Sequence, residues 1–92
     1  MLPIRELVWN RRNIVHIARH RVIPEEVEEV CYANPFVTRA KFKRLRIIGQ
    51  TETGRYLTII LEPKERGVYY PITARSATVR ERERYRRWKR KK

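Results

Sequence analysis

The apolar residues of this 92-residue chain change their spacing at Asn34-Pro35, and that change restricts the fold more than any other feature of the sequence. Upstream, Ile14, Ile17, Ala18 and Val22 recur every three or four residues, which places them on one face of a helix ending near residue 21. Asn10 stands where a side-chain oxygen can cap its first turn. Pro24 suits the first turn of a second helix, where Glu25 and Glu26 meet the positive end of the dipole, and Ile23, Val27, Val30 and Cys31 form its buried stripe. Asn34-Pro35 ends that helix, because the residue before a proline is pushed out of the helical region.

Downstream the period is two. Leu45 and Ile47 alternate with Arg44, Arg46 and Ile48, and Leu57, Ile59 and Leu61 alternate with Tyr56, Thr58 and Ile60, so two strands follow one another across a turn in which Gly54 is available for a positive φ. A second turn at Gly67 leads to a third strand, VYYPITAR, in which Pro71 lacks an amide donor and therefore belongs at an edge or a bulge. Thr78-Val79-Arg80-Glu81 matches a capping box and opens a last helix to about Trp88. With a short first strand within Ile4 to Trp9, the order is β-α-α-β-β-β-α. This is an α+β domain over residues 1–88 whose three-stranded antiparallel meander follows two helices, with a basic tail at 89–92. A chain of this length hides roughly 60–65% of its unfolded surface, enough for one modest core and no second domain.

Partners are constrained by charge. Lys and Arg number 23 against 10 acids, for a net charge of +13. Seventeen of those cations are Arg, whose planar fork binds phosphate bidentately and stacks on bases. The charge is also segregated: residues 36–50 carry five cations and no acid, residues 76–92 carry nine cations and two acids, and residues 24–33 carry four Glu and no base. Such a distribution favours a polyanion, nucleic acid first, with an anionic membrane surface or an acidic protein as weaker candidates. The longest apolar-rich stretch, YLTIIL, is far shorter than the ~20 residues a bilayer crossing needs, so no membrane span is expected, and with nucleic acid the favoured polyanion the chain is read as having no membrane partner. The N-terminal residues lack the pattern of a secretory signal, and the single Cys31 cannot form an internal disulfide, so the cytoplasm is the expected compartment.

If Leu45, Ile47, Leu57 and Ile59 face the helices, alternation sends Arg44, Arg46, Tyr56, Thr58, Tyr69, Thr73 and Arg75 to the opposite face, which becomes cationic, aromatic and hydroxyl-bearing at once. Arginines that hold phosphate beside aromatics that stack bases are the usual means of holding single-stranded RNA. The same set suits RNA cleavage without a cofactor, because the 2′-hydroxyl is the nucleophile and the protein need supply only positive charge at the phosphate and a proton-transfer group. His20 is the candidate for that transfer. His16 and His20 have the spacing of a shared zinc site, but no further ligand stands near them in sequence, and no metal is expected. Cys31, Trp9, Tyr85 and Trp88 read as packing residues, and Glu81 as a cap. Two other classes fit the charge: a non-catalytic RNA- or DNA-binding module, and an interaction protein whose charge engages an acidic partner.

The segments W-N-R-R-N-I at 9–14, H-I-A-R-H at 16–20, P-E-E-V-E-E-V at 24–30, R-L-R-I-I-G at 44–49, G-R at 54–55, I-T-A-R-S-A-T at 72–78 and E-R-E-R-Y at 81–85 follow one another in an order that resembles the BrnT family of bacterial type II toxins. The resemblance covers nearly the whole chain. It implies a RelE-like fold and a metal-independent endoribonuclease held inactive by a cognate antitoxin, usually a ribbon-helix-helix protein, in a hetero-oligomer or with the toxin as a homodimer. It places the family's basic and polar positions on Arg44, Arg55 and Arg75, with His20 and the last helix nearby. The combined expectation is that Arg75, Arg44 and His20 are catalytic and that Arg46, Arg55, Tyr56, Tyr69 and Thr73 bind RNA. Two positions depart from the family pattern. Arg21 stands where a glycine usually closes the first helix, and Tyr70-Pro71 stands where many members have Arg-Ile, so the chain also fits a homologue that has lost catalysis.

Overall fold

The computed structural model describes residues 4–91. Strand β1 (Glu6–Leu7) is followed by helices α1 (Arg11–Ala18) and α2 (Pro24–Tyr32), strands β2 (Phe36–Arg39), β3 (Leu45–Gln50), β4 (Tyr56–Glu65) and β5 (Val68–Ser76), and helix α3 (Val79–Arg90). The five strands form one sheet in the order β1-β5-β4-β3-β2. β1 runs parallel to β5, and the other pairs are antiparallel. The α+β class is as the periodicity predicts, with two differences in the sheet. The first strand pairs only through Glu6 and Leu7. The stretch 36–39 forms an additional edge strand, so the meander has four strands rather than three.

The helices enclose the sheet from both sides. Ile17 of α1 and Val27, Val30 and Cys31 of α2 pack with Ile47, Leu57, Ile59 and Leu61 on the inner face, all of them buried. Removing a side chain such as Ile59 from this core would cost ~2–5 kcal/mol. Gly49 lets α2 come this close, since a Cβ there would lie 2.7 Å from Val30 Cγ1. Ile23, expected in the buried stripe, is 54% exposed, because it precedes the helix in extended conformation and Val22 takes the buried place. On the outer face α3 lies across β2, β3 and β4. Phe36 stacks on Trp88 with centroids 5.1 Å apart, Tyr56 meets Tyr85 edge-on, and Ile48 and Thr58 are sealed beneath. The outer face expected to be open is thus half covered. α3 also runs to Arg90, so the first two of the four expected tail residues are helical, and Lys92 lies outside the described residues.

Both prolines of the hairpin sit where the ladder is interrupted. Pro63 lies past Leu61, the last β4 residue paired to β3. Pro71 lies beyond the end of β1, and a register shift there leaves Ile72 without a partner between Pro71, opposite Leu61, and Thr73, opposite Ile60. That bulge reverses the alternation of β5. Thr73 and Arg75 point outward, but Tyr69, on the other side of the bulge, points into the core and is 3% exposed. The expectation that Tyr69 binds RNA is corrected accordingly.

Candidate functional site

Because β1 is so short, the upper half of β5 would be a bare edge, and α1 covers it. Asn10 caps α1 by accepting from the Asn13 backbone N–H at 3.1 Å, and Asn13 Oδ1 accepts from the Asn10 N–H at 2.9 Å. The buried Asn13 amide then donates to the carbonyls of Val8 (2.9 Å) and Pro71 (3.1 Å), fastening the helix to the bulge. Sequence reasoning did not single out Asn13. The Asn-x-x-Asn spacing at 10–13 was the signal available.

This placement makes α1 one wall of an open cleft of about 1070 Å³, whose floor is the part of the outer face that α3 leaves uncovered. Arg11 and Arg12 come from α1, Arg19 from its C-cap, Arg44 from the residue just before β3, and Lys64 from β4. Against these five cations stands one carboxylate, Glu62. Glu62 binds Lys64 at 2.8 Å and Arg44 at 3.3 Å, and the hydrogen bond and charge of Lys64, followed by Arg44, hold its carboxyl below the usual range. Arg11, Arg12 and Arg19 have no ion pair among the described residues. Tyr70 contributes an aromatic face beneath the Lys64 ammonium, and its hydroxyl donates to Asn10 Oδ1 at 3.2 Å.

The histidine in this cleft is His16. Its Nε2 lies 3.2 Å from Thr73 Oγ1, which orients the ring, and Nδ1 has no hydrogen-bond partner among the described residues. His20 packs edge-on against His16 at 5.9 Å but stays exposed and does not line the cleft. Among the described residues no three His, Cys or Glu come together.

The other expected site residues are held elsewhere. Arg75 makes a bidentate pair with Glu81 at 2.8 and 3.0 Å. Glu81 also accepts from the Thr78 backbone N–H and from Thr58 Oγ1, both at 2.9 Å, so the expected capping residue ties α3 to the sheet. The Arg75 hydrogen bonds foremost, opposed by burial and aided by Thr78 and Thr58, hold the Glu81 carboxyl down at about 2. Arg55 spans a junction: it donates to the carbonyls of His20 and Arg21 at the end of α1, to Glu26 in α2 and to Ser76 Oγ in β5. Tyr56 lies between Arg82 and Arg86 under α3. Arg46 has no ion pair among the described residues, and its Nε is buried without a partner, as is that of Arg44. Of the eight residues expected, the structure brings Arg44 into the cleft and Thr73 against its histidine; Arg75, Arg55 and Tyr56 hold helices in place. Cys31 is a core residue, its thiol pushed up to about 12 by burial and by Glu28.

After α1, Arg21, at the position where a glycine was expected to close the helix, takes the left-handed conformation itself, with φ 59°. No protein family, curated protein or solved structure was found to match the chain.

Proposed function

We propose that this protein binds single-stranded RNA in the cleft between α1 and the open half of the sheet and cleaves it without a metal, as the toxin of a type II pair. The observation that carries the reading is His16, oriented by Thr73 in the wall of a cleft that sets five cations against one carboxylate. Arg11 and Arg12 of α1 and Arg19 at its C-cap neutralise phosphates along the strand, and Tyr70 offers a face to a base. In the reaction the 2′-oxygen bonds to phosphorus as His16 accepts its proton. The P–O5′ bond breaks, a solvent proton completes the 5′-hydroxyl, and the other product ends in a 2′,3′-cyclic phosphate. Arg44 stands beside the phosphate to meet the charge that develops there, exchanging Glu62 for the substrate. The resemblance to BrnT toxins supports this reading, and it supplies the partner: a ribbon-helix-helix antitoxin that covers the cationic cleft. A second reading, a binding module without catalysis, is favoured by the engagement of Arg75 and Arg55 in structural contacts.

The test is a gel assay of the purified protein with total RNA in EDTA, comparing the unmodified chain with His16→Ala and His20→Ala. The proposal expects cleavage that falls ~10²-fold or more in His16→Ala and stays within a few fold in His20→Ala. RNA that is shifted on a native gel but never cut would establish the binding module instead.

A further inference from the structure

The tip of the β2–β3 hairpin holds an aromatic side chain where folding gains nothing from it. Phe42 is 81% exposed, the most exposed large apolar side chain among the described residues. Its backbone is left-handed at φ 62° and ψ 36°, and Lys43 follows at φ 59°. Left-handed backbone is unusual for a bulky residue, and such strain tends to collect where a ligand is met. The loop is closed by the Ala40 N–H donating to the Arg44 carbonyl at 2.8 Å, so the tip is held rather than loose. Lys41 and Lys43 flank Phe42 in the sequence, and the Arg44 guanidinium sits 5.6 Å from the centroid of its ring. Arg44 is also a lining residue of the cleft, so the ring stands at the cleft's margin.

We propose that Phe42 is a stacking platform for one unpaired nucleobase of the strand held in the cleft, with Arg44 linking the stacked base to the adjacent phosphate. This rests on the RNA reading given above. An exposed ring beside the Arg44 guanidinium, in a loop that also carries Lys41 and Lys43, suits a nucleotide, since the base takes the π-face while its phosphates take the cations, and stacking tolerates any base. An anionic membrane surface would also draw an exposed phenylalanine among lysines, but Arg44, shared between ring and cleft, favours a ligand that continues into the cleft.

The experiment measures binding in EDTA by anisotropy, with a labelled 12-nucleotide RNA, the same RNA carrying one abasic position moved along its length, and inorganic polyphosphate. The variants are Phe42→Ala and Phe42→Trp. Phe42→Ala is expected to weaken RNA binding about tenfold while leaving polyphosphate affinity and the salt slope unchanged. Phe42→Trp is expected to restore binding, with its fluorescence quenched by RNA and not by polyphosphate. One abasic position should reproduce the loss in the unmodified protein and add nothing in Phe42→Ala. Equal RNA affinity in Phe42→Ala and the unmodified protein would overturn the stacking role alone. RNA binding no tighter than polyphosphate would overturn the RNA reading beneath it. Phe42-dependent binding to vesicles of phosphatidylcholine and phosphatidylglycerol, with no dependence on bases, would overturn the proposal in favour of a membrane contact.

Discussion

Replacing Glu81 by glutamine removes one charge from the joint between α3 and the sheet. Its carboxylate accepts four hydrogen bonds, from Thr58, Thr78 and both terminal nitrogens of Arg75. A carboxyl lowered from 4.5 to about 2 contributes at most ~3 kcal/mol to folding by proton linkage. The Arg75 side chain is 41% exposed, so solvent screening brings the expected loss at pH 7 nearer ~2 kcal/mol, a fall in Tm of about 10 °C for a domain this small. The sign follows from the direction of the shift. The folded-state pKa is depressed, so the stabilisation is fully present above about 4.5 and is lost as the pH falls towards 2. Urea unfolding followed by circular dichroism between pH 2 and 7 reads both quantities. The unmodified protein should lose stability more steeply than Glu81→Gln below pH 4.5, and the two should converge near pH 2. A variant within ~0.5 kcal/mol of the unmodified protein at pH 7, or one with an unchanged acid limb, would refute the role given to this joint.

Three further outcomes test other parts of the structure. Arg12→Ala should lower the slope of log Kd for single-stranded RNA against log salt by about 0.7, the share of one phosphate contact, whereas Arg75→Ala should leave the slope unchanged; equal effects would place the RNA elsewhere. Gly49→Ala should cost ~1–3 kcal/mol in urea unfolding, because the added methyl meets Val30 at 2.7 Å, and a neutral result would show that α2 can shift away at no cost. Arg21→Gly should raise stability by ~0.5 kcal/mol, the left-handed strain relieved less the added chain entropy, while the backbone carbonyl that Arg55 uses is retained; a loss would mean the arginine side chain holds the helix end.

What the sequence revealed was whatever is encoded over short range. The caps at Asn10 and Thr78, Pro24 at the start of α2 and the alternation from Leu45 to Leu61 are local patterns, and the structure reproduces each. Features that depend on distant segments were hidden. The edge strand at 36–39 is four residues long and gains its order by pairing with β3. A bulge at Pro71 was foreseen as one possibility, yet its consequence, the inversion that buries Tyr69, depends on which residue stays unpaired across β4. The outer face looked open because α3 is so heavily charged. Its aromatic residues Tyr85 and Trp88 did signal packing, and taken with Phe36 and Tyr56 they account for where the helix lies. The displacement of the site follows from that cover. Arg75 and Tyr56 fall beneath or beside α3, and His16, one turn before the histidine singled out, reaches Thr73 because α1 lies along the edge of β5.

The proposed reaction turns on His16 in the α1 cleft taking the proton from an RNA 2′-hydroxyl. The most direct measurement is single-turnover cleavage, in EDTA, of a labelled single-stranded RNA and of the same strand with a 2′-deoxy residue at the principal cut. Expected are a 2′,3′-cyclic phosphate end from the first, no cut at the modified position in the second, and loss of the reaction in His16→Ala with RNA affinity kept. Cleavage of the deoxy-substituted strand at the same position, or a His16→Ala rate equal to that of the unmodified protein, would contradict it.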